Sequence, residues 1–373
     1  MRVRSRAVAC LRKAAAPAAA CLLLRAGCAL AAGGGGFTPF VGETLGHDDN
    51  VFRISDALDP AAAIGSASRG DSYRTTSAGF DLDLPLSRQR LQAGLALNDT
   101  RYQRFTDLDF TARDAHATWL WQLGDRWRGH LGYMQSLALA SFADIQAREP
   151  DRLDTRRTFF DARMGLSPRW RLGAGASRLT QSNSDPARST SDVEIDGGEV
   201  SATYVTRAET SLGLRLRAED GRFPRLEQLA GGGQADRAYR QSAAELTADW
   251  TPSGASHLSG RLGRLSRRYS GLAQRNFSGN TAYLEYDWKP GGRLSLAAVA
   301  QQDIGAYEDI RSNFVLVKGV ALRPGYRVSA KIDLTGNLEY RIRDFLGDPG
   351  LVPGQTPRSE ERRVGKECRY RWW

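Results

Sequence analysis

The chain has 373 residues, a quarter of them charged, and its 52 Lys and Arg against 42 Asp and Glu give a formal charge of +10. This length suits two soluble domains or one large all-β domain. Beyond Gly33 no run nears the roughly 18 apolar residues of a membrane helix, which excludes a helical membrane protein and leaves a barrel open.

Residues 1–32 have the layout of a secretory signal. Arg2, Arg4, Arg6, Arg12 and Lys13 precede an apolar stretch over 14–24, and Ala29-Leu30-Ala31 forms an A-x-A site, so cleavage is expected after Ala31 or Ala32. Arg25-Ala26-Gly27-Cys28 is close to a lipoprotein box, with arginine where leucine is usual, so lipidation of Cys28 stays open. Cys10, Cys21 and Cys28 lie in this segment and Cys368 in the tail. The body, residues 33–350, then has no disulfide framework, zinc cluster or thiol nucleophile. Part of the positive charge belongs to the signal and part to the C-terminus. Without a basic stripe interleaved with aromatics, nucleic acid is not an expected partner.

Residues 37–54 read as a first strand and 55–70 as a polar loop. Ala78, Phe80, Leu82 and Leu84 then alternate with polar residues up to a turn at 85–89, and Leu91, Ala93, Leu95 and Leu97 follow it. This period of two with a central turn is a β-hairpin. The pattern returns around turns at 124–126, 167–169, 207–210 and 251–254. Its clearest copy is Ala282–Ala300, where Ala282, Leu284, Tyr286 and Trp288 lead into Lys289-Pro290-Gly291-Gly292 and Leu294, Leu296, Ala298 and Ala300 lead out. A last hairpin is expected to turn at Arg323-Pro324-Gly325. Seven hairpins and a leading strand make about fifteen strands.

Two features of the spacing choose the architecture. Short turns alternate with longer polar connections at 55–70, 144–154, 181–192, 225–238 and 271–278, the asymmetry of outer-membrane barrels with tight periplasmic turns and long extracellular loops. Six of the eight tryptophans (Trp119, Trp121, Trp127, Trp170, Trp250, Trp288), with Tyr204 and Tyr326, lie beside short turns and read as an interfacial girdle. A repeat near forty residues also suggests a propeller, but a blade needs four strands and each repeat here holds two long ones. The expected fold is all-β, a transmembrane antiparallel up-and-down β-barrel. Bacterial outer membrane is the expected location and its lipid the first partner.

Candidate catalytic groups are few. His47, His116, His130 and His257 show no metal-pair spacing, and a hydrolase would need serine, histidine and an acid on one face. His47-Asp48-Asp49-Asn50 groups oxygen ligands but lacks the glycine and distal glutamate of an EF-hand loop, so these residues are read as turning the chain. No catalytic, metal or cofactor residue is expected. If the leucines and tryptophans face lipid, then Glu199, Ser201, Arg215, Arg217, Glu245, Asp249, Arg261, Glu285, Asp287, Arg327, Lys331 and Asp333 face the lumen. Two readings stay open: cross-strand ion pairs that brace the wall, or an arginine-rich path for a hydroxyl-rich or anionic polymer.

The opening FVGETLGHDDNVFRISD, the run DTRYQRFTDLDFTARDAHATWLWQLGDRWRGHLGY and the late LEYRIRDFLGDPG resemble the EpsL-type outer-membrane barrels of exosortase-associated exopolysaccharide operons. The resemblance covers most of residues 37–350. It implies a barrel taking part in synthesis or export of an extracellular polysaccharide as a channel or docking component, with periplasmic export components as further partners. It carries no functional residues with it. A general porin-like solute channel is the alternative, and an outer-membrane enzyme a more distant one. Residues 351–373 depart from the resemblance: RSEERRVGKECR has the look of a non-native tail, although Val364, Cys368, Tyr370 and Trp372 alternate with polar residues as a short closing strand would, and an intact chain is expected to hold eighteen strands.

Overall fold

The computed structural model describes residues 36–54, 58–140, 148, 150–228, 233–306, 314–329, 332–346 and the backbone of 364–372. The predicted signal segment and Lys331 lie outside the described residues. The first strands are β1 (Gly36–Asp48), β2 (Asp71–Leu86), β3 (Gln89–Tyr102), β4 (Phe110–Leu123) and β5 (Trp127–Leu139). Then come β6 (Arg152–Gly165), β7 (Trp170–Asn183), β8 (Val193–Val205) and β9 (Ser211–Arg222). Two short strands, β10 (Glu227–Gln228) and β11 (Gln234–Ala235), pair only with each other. The chain continues with β12 (Tyr239–Ser253), β13 (Ser256–Tyr269), β14 (Phe277–Trp288) and β15 (Leu294–Ala306). It ends with β16 (Phe314–Arg327), β17 (Asp333–Leu346) and β18 (Val364–Trp372), the last lying in the segment read as a tail.

Apart from β10 and β11, the strands form one sixteen-stranded antiparallel sheet in which each pairs with its neighbour in sequence. Among the described residues β1 and β18 are not paired with each other. The up-and-down order follows from the short turns, since a link of two to five residues can only return the chain beside the strand it left. At the β4–β5 turn Gly124 adopts φ +59°, a conformation that glycine enters without a Cβ penalty.

Alternation along each strand gives the sheet two unlike faces. Ala202, Leu214, Leu246, Leu262 and Ala282 stand opposite one another on five successive strands, and Leu246 and Leu262 are each 64% exposed. Val41, Leu97, Leu131, Phe160, Leu172 and Val320 continue this exposed apolar band on other strands. Water would oppose so large an apolar surface; lipid does not. At the short-turn edge of the same face Trp119, Trp127, Trp170, Trp250 and Tyr326 are exposed, and Trp170 packs on Tyr204 with ring centroids 5.2 Å apart. No helix of the described residues is long and apolar enough to cross a membrane. An apolar outer face rimmed by tryptophan, with every crossing made by a paired strand, is the outer-membrane solution to satisfying the backbone in lipid. The chain is an outer-membrane β-barrel-type protein.

Three expectations are corrected. The first strand stops at Asp48, and Val51, Phe52 and Ile54 turn inward instead of continuing the alternation. Asp48 explains the break: its carboxylate accepts from the Asn50 backbone N–H and from Arg53 at 2.7 Å, closing a local turn. The last hairpin does not turn at Arg323-Pro324-Gly325: β16 runs through the proline to Arg327, and the Val328 N–H then donates to the Ile332 carbonyl at 2.9 Å. Pro324 has no N–H to donate, so the β16–β17 ladder skips residues 323 and 324 and resumes at Gly325 opposite Thr335. The sheet holds an internal proline at the cost of that gap. The first hairpin is also tighter than expected, with only Ser87 and Arg88 between β2 and β3.

Buried apolar cores lie in the long-loop half of the molecule. Val51, Phe52, Ile54 and Ile64, the last on a one-turn helix α1 (Pro60–Ile64), pack with Phe105 and Leu108, and Phe52 meets Phe105 edge-on at 4.9 Å. A second cluster joins Ala243, Leu265, Phe277 and Ile304. Here β14–β15 pairing ends at Ala282 opposite Gln302, while β15–β16 pairing continues to Ala306. Freed from β14, this hairpin turns Ile304 onto the inner face of β14, where an added Cβ at Gly279 would come within 2.1 Å of its Cδ1.

Candidate functional site: the inner face of the sheet

The centre of the inner wall is a cross-strand charge ladder. Glu245 on β12 is 4% exposed, and its carboxylate lies 3.2 Å from Arg217 Nη2 and 3.6 Å from Arg215 Nη1, both on the adjacent β9. Strand pairing brings them together, because Glu245 stands directly opposite Arg215. Arg217 also lies 3.8 Å from Glu219, which accepts from Gln241 at 2.7 Å. Gln241 in turn accepts from Arg267 at 2.9 Å. The Arg267 guanidinium sits 3.8 Å from the Tyr239 ring centroid and 5.5 Å from that of Phe277, so its charge is held between aromatic faces.

Nearer the short turns, His257 Nε2 lies 3.0 Å from Asp249 and Nδ1 lies 3.8 Å from Asp287. Of the two ring nitrogens only Nε2 is within hydrogen-bond distance of a carboxylate. Arg261 stacks on Tyr283 at 5.1 Å, the Tyr283 hydroxyl donates to Glu285 at 2.5 Å, and Arg323 lies 3.8 Å from Glu285. His116 packs across Gly94, and His130 bonds Asp161 at 2.8 Å. Arg327 and Asp333 pair at 3.2 Å but flank the last turn and are 61% and 63% exposed. They belong to the rim, because the turn falls beyond Pro324. Among the described residues no group of three or more His, Cys, Asp and Glu side chains could hold a metal ion.

A second arrangement was not anticipated from the sequence. Residues from β5 to β12 line one recess of about 890 Å³ at the short-turn end, so the inner face is concave there. Five arginines line it: Arg126, Arg128, Arg163, Arg171 and Arg215. Among its acids, Asp125 is bound by Arg88 at 3.0 Å, Asp161 by His130, and Asp249 by His257, leaving Glu199 beside the arginines. Arg126, Arg128, Arg163 and Arg171 have no carboxylate partner among the described residues. The signal was available: Arg128, Arg163 and Arg171 hold the polar positions beside outward Trp127, Met164 and Trp170. What alternation cannot give is their convergence, which depends on how four strands curve.

The opposite end is roofed by interlocked loops. Glu227 accepts from Arg275 at 2.6 and 2.8 Å and lies 3.4 Å from Arg237. Burial alone would raise the Glu227 carboxyl, but the Arg275 hydrogen bonds and the nearby positive charges outweigh it and hold it below the usual range. Arg148 grips Asp107 at 2.7 and 2.9 Å, and these hydrogen bonds lower the Asp107 carboxyl. Asp151, its side chain fully buried, accepts from the backbone N–H groups of Ser184 and Asp185 and faces Arg188 at 3.3 Å. Arg53 engages Asp48, so the His47–Asn50 cluster acts as a turn.

No family model matches the chain, and no curated protein matches it. Among solved structures it is similar to FauA, the alcaligin outer-membrane receptor of Bordetella pertussis, at 14% identity and TM-score 0.40 over 80% of this chain and 54% of that one. The FrpB iron transporter of Neisseria meningitidis is similar at 9% identity and TM-score 0.45, over 83% and 58%. A bacterial polysaccharide outer-membrane secretin is similar at 13% identity and TM-score 0.39, over 75% and 87%. The chain spans about half the length of the siderophore receptors it matches. At these scores the likeness does not extend to ligand or mechanism.

Proposed function

We propose that the protein is a channel or docking component for an extracellular polysaccharide, and that an acidic polymer enters at the short-turn end. The observation that carries this reading is the set of four guanidiniums without carboxylate partners around a recess of about 890 Å³. Each is a planar fork of donors suited to a carboxylate or phosphate. Several such sites in a row favour entry without holding the chain at any one of them. The Glu245 ladder holds the wall beyond the recess. No bond is made or broken. The resemblance of residues 37–350 to exopolysaccharide-operon barrels supports a polysaccharide as the cargo.

Planar-bilayer conductance of the full chain tests it. A polyuronate added on the short-turn side is expected to block current in a voltage-dependent way, a neutral glucan of equal length is not, and Arg→Gln at 126, 128, 163 and 171 abolishes the block. A steady ohmic current indifferent to either polymer would favour a general solute channel and overturn the proposal.

A further inference from the structure

On the outer face, strands β9 and β12 to β17 line an apolar groove of about 950 Å³. Leu262, Leu284 and Val320 stand as ridges, and Gly260, Ala282 and Ala300 leave the space between them. The long-loop end of this groove is polar. Lys318 pairs in register with Gln302, whose Nε2 donates to the Asn280 carbonyl at 2.9 Å, and Arg264 stands opposite Asn280. Arg268 lies four residues further up the same face of β13.

Depth places these cations at a membrane surface. Lys318 is eight residues up β16 from the exposed Tyr326 of the girdle, and Arg264 eight up β13 from Ser256, which faces Trp288. At roughly 3.3 Å per residue, that is about 26 Å along a strand, and about 20 Å along the membrane normal for a strand tilted by about 40°. The apolar band of such proteins is about 25 Å tall.

Several other outward arginines near this edge are paired with acids. Arg74 faces Glu43 at 3.6 Å, Arg101 faces Asp99 at 2.9 Å, Arg178 faces Glu194 at 2.7 Å and Arg240 faces Asp220 at 2.9 Å. Arg264, Arg268 and Lys318 have no carboxylate partner among the described residues; Lys318 lines the groove, and Arg264 stands two residues beyond its lining Leu262 on the same face of β13. They are three strands apart, roughly 14 Å between backbones at the usual spacing, so two long side chains can converge on one headgroup.

We infer that this groove binds a phosphate-bearing lipid of the outer leaflet, its acyl chain lying between Leu262, Leu284 and Val320 and its phosphate held by Arg264 and Lys318. Charge complementarity selects this occupant. A neutral acyl chain would fill the groove but leave the cations unmatched, and a free phosphate would leave the groove empty. The site does not depend on what passes through the lumen.

Native mass spectrometry of the full chain in mild detergent, titrated with a phosphate-bearing glycolipid and with the same lipid after phosphatase treatment, tests the assignment. Wild type is expected to retain one phosphorylated lipid per chain, with the dephosphorylated lipid and the Arg264→Gln/Lys318→Gln variant each at least tenfold weaker. Ala300→Phe, which fills the groove, is expected to weaken binding comparably, and Arg240→Gln, at a paired position, to leave it unchanged. Equal occupancy by the two lipids overturns the inference on wild-type protein alone. So does equal occupancy in the double variant, with heat-modifiable gel mobility reporting its fold.

Discussion

Arg217 Nη2 lies 3.2 Å from Glu245 Oε1 across the β9–β12 seam, and Arg215 Nη1 approaches the same carboxylate to 3.6 Å. Because Glu245 is nearly fully buried, its charge is what allows two guanidiniums to share one stretch of wall. Breaking a buried pair costs about 3–5 kcal/mol, and half-buried arginine partners reduce that to about 2 kcal/mol. Glu245→Ala is expected to lower the urea midpoint of the detergent-refolded protein accordingly. An unchanged midpoint would show that lumen water already screens the pair.

Close packing on the inner face makes particular glycines irreplaceable. A Cβ at Gly221 would lie 2.2 Å from Tyr239 Cε1, under the ring that carries Arg267, whereas a Cβ at Gly42 meets nothing within 4 Å. Gly221→Ala should cost about 1–3 kcal/mol through overpacking, and Gly42→Ala should be near neutral. Thermal unfolding of both variants side by side checks the contrast.

The loop roof is acid-labile by its ion pairs. Glu227 and Asp107 have lowered carboxyl pKa values in the folded protein. Their contribution is therefore full above the unfolded carboxylate values of about 4 and is lost as pH falls through the lower folded values. Limited proteolysis of loops 223–238 and 103–109 should stay slow from pH 7 to 5 and accelerate below about pH 4. Arg275→Gln is expected to open the first loop at neutral pH.

Tryptophan depth tests the membrane assignment. Trp119, Trp127, Trp170 and Trp250 are exposed at the short-turn edge of the lipid face. In reconstituted vesicles, lipids brominated near the headgroup should quench most of the emission and those brominated near the chain ends much less. Strong quenching by aqueous iodide would place these rings in water instead.

Most of the architecture was legible in the residues. Alternation in hairpins such as Ala282–Ala300 assigned Leu284 to the outside and Glu285 to the inside, and the structure keeps both. Legibility failed where a local event broke the period. At residues 51–54 the chain keeps its apolar composition yet leaves the sheet for a loop core, and at Pro324 a residue that usually marks a turn lies within a strand. The first deviation is set by the local Asp48 turn together with the distant Phe105 and Leu108, the second by the β15 ladder.

Taken alone, the sequence determined which face of most strands meets lipid, because a strand's side chains alternate while it stays in the sheet. Only the tertiary structure decided which inward charges cancel. Arg215 and Arg217 are balanced by Glu245 and Glu219 because strand register sets them side by side, while Arg126, Arg128, Arg163 and Arg171 converge unpaired because the sheet curves around them. Alternation is a property of one strand. Pairing and curvature are properties of many, and on them the chemistry of the lumen rests.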